Sequence, residues 1–324
     1  MGHGHAHGHV DRNAGDARVA WAVAINLGLT VVQVIGGVLA GSLALIADAL
    51  HNFSDAISLI IAFGARKIAR RPSDATMTFG YARAEAVAAL VNYTTLIVIG
   101  LYLVYEAVMR FISPQGVDGW LVVVIAAVAL AVDLVTALLT YALAKESVNI
   151  RAAFLHNVAD ALGSVAVIFA GTLILLYDWR LVDPLVTLMI AGYILWQSFA
   201  EIGTVIRILM LGSPPGITTG AVIDHIRGVE GVADVHHAHF WQMDEHSNSV
   251  DAHIVIASGA WNRADGIKQA VKASLRDAFQ IGHTTLEMEC AEHACVDVGT
   301  IGHDAGVGLR STDREARERD RNAR

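Results

Sequence analysis

Charge is what this chain lacks. Only 17% of its 324 residues are Asp, Glu, Lys or Arg, while 54% are hydrophobic and the mean hydropathy is +0.49. That excludes an ordinary soluble globular protein, which carries about a quarter of charged residues. Basic residues are scarcer than acidic ones, 23 against 31, giving a net charge of −8 with no basic stripe. Nucleic acid is therefore excluded as a partner. Two cysteines, Cys290 and Cys295, cannot build a disulfide framework. The first residues are polar and His-rich, with neither an apolar h-region nor a cleavage site, so no removable signal peptide is expected.

What charge there is gathers at residues 1–18 and 212–324, and the long apolar runs fill 19–211. Six stretches, near 19–40, 43–65, 84–110, 119–143, 152–176 and 182–209, are long enough to span a bilayer. A hydrocarbon core of about 30 Å needs roughly 20 helical residues. Turn-forming residues separate them, as at Gly41-Ser42, Arg71-Pro72-Ser73 and Ser113-Pro114-Gln115-Gly116. The gap after span two carries Arg66, Lys67, Arg70 and Arg71, and that after span four carries Lys145 and Arg151. Basic loops stay in the cytoplasm, so both termini are expected there.

One phrase occurs twice inside apolar sequence. Leu50-His51-Asn52-Phe53-Ser54-Asp55-Ala56 returns as Leu155-His156-Asn157-Val158-Ala159-Asp160-Ala161. His and Asp four apart share one helix face. Two such helices face to face would present His51, Asp55, His156 and Asp160, a tetrahedral set suited to Zn²⁺ and related divalent ions. Ionisable groups at membrane depth are costly and mark transport paths. Metal requires neutral imidazole and ionised carboxylate, so metal and protons compete for these groups, which is the minimum for antiport. We expect spans two and five to run the same way, with both pairs near mid-depth. Asp48 shares the face of His51 and Asp55. It reads as a partner of the ligands, an additional ligand or a proton carrier. Asp133, Asn26 and Gln33 read as hydrogen bonds between helices.

Residues 212–298 read as a compact α+β unit in the order αββαβ, with helices at Thr218–Arg227 and Asn262–Phe279. Its strands are placed at Ala233–Gln242, Ser249–Ala257 and His283–Cys290. Cys290, His293 and Cys295 form a local cluster of soft ligands whose spacing matches no standard zinc motif, so metal binding and a plain surface stay open. His3, His5, His7 and His9 alternate with small residues and make a flexible chelating arm, with a purification tag as the other reading. Residues 299–324 read as a disordered charged tail.

Together these phrases resemble the cation diffusion facilitator family, above all its zinc-type bacterial members. The resemblance rests on Ser42 to His51, on Phe79-Gly80-Tyr81-Ala82-Arg83-Ala84-Glu85, on the span-five His-x-x-x-Asp and on Leu209-Met210-Leu211-Gly212-Ser213-Pro214. It implies a membrane all-α six-helix transmembrane domain in a bacterial inner membrane, a small cytoplasmic metallochaperone-like α+β domain, and a homodimer. It implies export of Zn²⁺, with Cd²⁺ or Co²⁺ as further cargo, in exchange for protons by alternating access. Its transport ligands fall on His51, Asp55, His156 and Asp160. Its cytoplasmic ligands fall on His236 and His253, with Glu289 where zinc-type members often place one and Asp265 where some have a histidine. A solvated polar dimer face is the other reading of that region.

Two departures stand out. Some members bind a second metal between spans two and three, but here the positions read Asp74, Met77 and Tyr81, so that site is expected to be absent. Some pair a basic residue opening span three with an acid after span six. Arg83 is present, but Leu209 to Gly212 holds no acid, so Arg83 needs another partner. An intramembrane metal hydrolase is the rival reading. It lacks a His-Glu-x-x-His and an obvious base beside an open metal position, so the chain is not read as an enzyme. A sensor or channel is the third reading, but channels favour weak rings of ligands over a four-ligand chelate.

Overall fold

The structure, a computed structural model, describes residues 12–141, 148–245, 247–295 and 298–302, without the side chains at 12–25, 59, 139, 140, 148–153 and 156. The His-rich arm at 1–11 and the charged run from 303 onward lie outside the described residues.

Six long helices follow the apolar runs: α1 (Arg12–Ala40), α2 (Leu43–Ala69), α3 (Ala84–Ile112), α4 (Gly119–Tyr141), α5 (Val148–Tyr177) and α6 (Val182–Leu209). Among the described residues five of them, α2 to α6, contain stretches long and apolar enough to cross a membrane, and α1 contributes the shorter apolar run Asn26–Ala40. Helices are the natural answer to such sequence, because a lone helix satisfies its own backbone polar groups away from water. Large apolar side chains stay exposed along α3, among them Val98, Leu101, Tyr102 and Tyr105. α1 stops where Gly41 takes φ +67°, a conformation costly to any residue with a Cβ.

The contacts correct one expectation. The amide of Asp118, just before α4, donates to the carbonyl of Ala40 at the end of α1, at 2.8 Å. Gly119, the first residue of α4, backs onto the end of α5: a Cβ there would lie 2.6 Å from the carbonyl oxygen of Gly171 and 2.7 Å from the amide of Leu175. The starts of even helices and the ends of odd ones thus share one end of the bundle. α2 and α5 run antiparallel, not the same way, because three connections separate them and each helix reverses the direction of the one before. Both His-x-x-x-Asp pairs still sit in the first half of their helices, entering from opposite ends.

Among the described residues the bundle has two packed clusters. Ala40, Ala44, Leu45, Val122, Ala126 and Val167 tie α1, α2, α4 and α5 together. Leu43, Ala47, Leu103, Ala107 and Ala191 tie α2 to α3 and α6. Alanine is the commonest residue in both, and small residues let helices approach closely where lipid offers no hydrophobic driving force.

The chain divides into two compact units, and the second holds Ile68–Val87 together with the residues from Thr204 onward. Its folded part comprises α7 (Thr219–Arg227), β1 (Val232–Gln242), β2 (Asn248–Ile256), α8 (Ala264–Phe279) and β3 (Ile281–Cys290). The αββαβ order is as read from the sequence. Thr218 caps α7, its Oγ1 accepting from the amide of Ala221 at 3.2 Å. β1 and β2 form an antiparallel hairpin, and β3 joins β2 in parallel after the α8 crossover. Val222, Ile226, Val235, Ile254, Val271 and Leu275 lead the core between helices and sheet.

Two local features of the second unit differ from expectation. β1 carries a bulge between His236 and His239, with His237 at φ +52°. Residues 299–302, read as part of a disordered tail, run beside that bulge: Gly299 and Thr300 carbonyls accept from the amides of His237 and Ala238, at 3.0 and 3.1 Å. Ile301 forms a parallel bridge with Ala238.

Candidate metal centres

The turn of α2 carrying His51 and Asp55 meets α5 at Asp160. His51 Nε2 lies 3.4 Å from Asp160 Oδ1 and 3.7 Å from Asp55 Oδ2. Ligand atoms of His51, Asp55 and Asp160 all fall within 4.8 Å of one another. That spacing suits one ion at about 2 Å from each donor. The side chain of His156, the fourth expected ligand, lies outside the described residues. Tyr193 of α6 meets the imidazole of His51 edge-on, with centroids 6.1 Å apart.

Asp48 stands apart from this group. It is almost wholly buried and accepts from Gln33 Nε2 of α1 at 2.7 Å, while Gln33 Oε1 accepts from Asn52 Nδ2 at 3.3 Å. Gln33 is the hydrogen bond between helices read from the sequence, and its partners are the neighbours of His51. A Cβ on Gly163 would lie 3.2 Å from Asp48 Oδ1, so the absence of a side chain there lets α5 reach α2. Ser164 Oγ donates to Asp133 Oδ2 at 3.0 Å, the inter-helix role expected of Asp133.

Sequence reasoning missed Asp183. Only 1% exposed at the start of α6, it caps another helix. Its Oδ1 accepts from Ser42 Oγ at 2.5 Å and from the Ala44 amide at 3.3 Å, and its Oδ2 accepts from the Leu43 amide at 2.9 Å. These are orphan donors at the start of α2, where a negative charge also meets the positive end of the helix dipole. Arg110 of α3 approaches Oδ2 at 3.4 Å and also donates to the Gly41 carbonyl. The available signal was an Asp-Pro pair opening an apolar span, but its partners lie about 140 residues away.

In the second unit, the positions tied by resemblance to a second metal form a closed turn. Asp74 Oδ1 accepts from the amides of Thr76 and Met77 and from Thr76 Oγ1, and Oδ2 accepts from the Tyr81 hydroxyl at 2.6 Å. These bonds, Thr76 and Tyr81 first, hold the Asp74 carboxyl well below its usual range, and the carboxylate pushes the Tyr81 hydroxyl upward. Arg83 donates from Nε to the Met243 carbonyl at 3.2 Å, in place of the acid that is missing after span six.

The sheet register builds a second cluster. His236 on β1 pairs with His253 on β2, which pairs with Glu287 on β3, and Glu289 lies two residues farther along the same face. His253 Nδ1 is 2.7 Å from Glu289 Oε1, and its Nε2 is 3.2 Å from Glu287 Oε2. His236 Nε2 approaches Glu289 Oε2 at 3.2 Å. Cys295 joins from beyond β3: its amide donates to Glu289 Oε2 at 3.1 Å and its thiol to Oε1 at 3.2 Å. Ligand atoms of His236, His253, Glu289 and Cys295 lie within 4.8 Å of one another. Burial raises the Glu289 pKa, but the bonds from Cys295 and His253 outweigh it and leave the carboxyl below its ordinary range. The same Glu289 contact pushes the Cys295 thiol up.

The structure therefore parts the Cys-His-Cys cluster. Cys290 Sγ lies 3.0 Å from His293 Nδ1, and with Glu292 they form a separate, largely exposed group. Asp265 is not in either group, because its carboxylate accepts from Lys268 Nζ at 2.6 Å.

Comparison with known proteins covers most of the chain. Residues 19–210 match the cation efflux transmembrane domain, and 214–291 match the cation efflux protein, cytoplasmic domain. The chain is 35% identical to a cadmium, cobalt and zinc/H(+)-K(+) antiporter of Bacillus subtilis, over 82% of this chain and 86% of that protein. It is 31% identical to the zinc transporter ZitB of Escherichia coli, over 94% of this chain and 98% of that one. It is 32% identical to the metal cation efflux system protein CzcD of Cupriavidus metallidurans, over 90% and 91%.

Proposed function

The chain belongs to the cation efflux family, and we propose that it exports divalent metal from the cytoplasm in exchange for protons, with Zn²⁺ the main cargo and Cd²⁺ and Co²⁺ accepted. One observation carries this reading: a His and two Asp from antiparallel helices converge within 4.8 Å in the middle of an apolar bundle. His156, one helical turn before Asp160, is the fourth ligand on this reading. Binding an ion there requires both carboxylates ionised and both imidazoles neutral. Protons arriving from the far side favour the opposite state and release the ion. Alternation of access then couples an inward proton to an outward metal ion. Four donors leave no open position for an attacking water, which supports transport over hydrolysis. Asp48, held by Gln33, orients the turn that carries His51 rather than binding the ion.

The working unit is a homodimer in the cytoplasmic membrane, with both termini in the cytoplasm, as the basic loops and the match to a cytoplasmic domain support. His236, His253 and Glu289 bind metal in that domain, since two imidazoles and a carboxylate suit Zn²⁺. Sealed vesicles with an imposed pH gradient test the central claim. Zn²⁺ uptake should rise with the gradient and collapse when a protonophore dissipates it. Uptake indifferent to the gradient removes the antiport mechanism.

A further inference from the structure

Of the four side chains in the sheet cluster, Cys295 alone comes from outside the sheet. Two observations suggest that it belongs there. The Nε2 atom of His236, a residue only 6% exposed, makes no hydrogen bond of acceptable geometry, although Glu289 is near. A buried ring nitrogen left so is costly in a protein interior, and a metal would satisfy it. Cys295 meanwhile offers both its amide and its thiol to Glu289, which brings Sγ within reach of His236 and His253.

We propose that Cys295 is a thiolate ligand completing a Cys-His-His-Glu metal centre, and that metal binding there steadies the strap at 298–302 along β1. The proposal rests on the reading that His236, His253 and Glu289 bind metal, and adds a donor and a consequence to it. On binding, the S–H proton of Cys295 leaves to solvent as the metal–sulfur bond forms, and no electron changes hands. Glu289 Oε1 loses the thiol as a donor and turns to the ion. Glu287, 3.2 Å from His253 Nε2, is placed to hold the proton there and leave Nδ1 free to coordinate. The donor set is one sulfur, two nitrogens and one oxygen. It favours Zn²⁺, Cd²⁺ and Co²⁺ over Mg²⁺ and Mn²⁺.

The strap gives the ligand a mechanical effect. Four and five residues after Cys295, the carbonyls of Gly299 and Thr300 accept from the amides of His237 and Ala238, and the Gly302 amide returns to the Ala238 carbonyl at 3.1 Å. Those amides belong to the bulge, where His237 holds φ +52° and stacks on the ring of His253, centroids 4.8 Å apart. A metal fixing Cys295 therefore anchors the chain three residues before the strap, and the strap in turn covers the edge of β1 at the bulge.

Co²⁺ binding to the purified full-length protein tests both parts. The wild type and Cys290→Ser should show a thiolate-to-cobalt charge-transfer band in the near ultraviolet, and Cys295→Ser should lack it. In hydrogen exchange, Zn²⁺ should slow the amides of His237, Ala238 and Gly302 in the wild type but not in Cys295→Ser. A band that survives in Cys295→Ser, or metal protection of those amides that ignores the substitution, overturns the proposal. Co²⁺ bound without the band, with stoichiometry lowered by His236→Ala, overturns the thiolate while the His-His-Glu reading stands. Stoichiometry unchanged by His236→Ala overturns both.

Discussion

The two clusters use the same residue types on different scaffolds. In the bundle, His51 and Asp55 share one helix with Asp160 on another, and no sheet hydrogen bonds fix their distance. In the C-terminal unit, strand register fixes His236, His253 and Glu289, and a thiol joins them. Ligands on two helices separate when the helices move, whereas ligands on paired strands stay together unless the sheet breaks. The first arrangement suits an ion that must leave, and the second suits one that stays. The donors agree: carboxylates release metal readily on protonation, and thiolates hold borderline-soft ions more firmly.

The largest expected effect falls on the bundle. Asp160→Ala should reduce Zn²⁺ uptake into vesicles to background while folding and dimer formation persist by size-exclusion chromatography. Full-rate uptake would place the transport path elsewhere and end the comparison. Next comes Asp183→Ala, which leaves Arg110 and the start of α2 without their carboxylate. Breaking a buried pair of this kind costs about 3–5 kcal/mol, so thermal unfolding in detergent should fall steeply, whereas Asp178→Ala, in an exposed pair with Arg180, should do almost nothing.

A smaller effect sharpens the contrast in donors. His51→Asp exchanges nitrogen for oxygen in the bundle and should raise Cd²⁺ uptake relative to Zn²⁺, without changing metal binding in the C-terminal unit. An unaltered ratio in competition assays would show that the His count does not set selectivity. The smallest concerns the loop at Asp74. Its folded pKa is depressed, so its contribution is complete above the ordinary carboxylate value of 3.8 and is lost only as pH falls through the lower folded value. The loop should stay closed throughout the physiological range. Tyr81→Phe should return the Asp74 titration towards 3.8, measured by NMR, and leave transport nearly unchanged.

The convergence of His51, Asp55 and Asp160 was legible because its information is local. His and Asp four apart on one helix need no knowledge of the fold to be paired, and the duplicated phrase names both partners. Cys295 was not legible in that way. Spacing groups it with Cys290 and His293, and only the turn after β3 carries it to Glu289 instead. Asp183 hides for the same reason, because a helix cap supplied by another helix has no signature in its own neighbourhood. The direction of α5 relative to α2 follows from counting turns. The closed Asp74 turn could have been read from an Asp with a Thr two residues on, a common turn pattern.

The capping carboxylate also bears on leverage. Asp183 and Arg110 fasten the first turn of α2 to its neighbours, so that end acts as a fulcrum. At 1.5 Å per residue, His51 sits ~12 Å along the arm and Lys67 ~36 Å, so a tilt of about 10° moves the ligand by roughly 2 Å and the distal end by roughly 6 Å. A spin label beside Lys67 should report that wide travel, whereas one beside Ser42, at the fulcrum, should hardly move. A small displacement at the ion and a wide one at the far end is the gearing a narrow site needs to open a path on one side only.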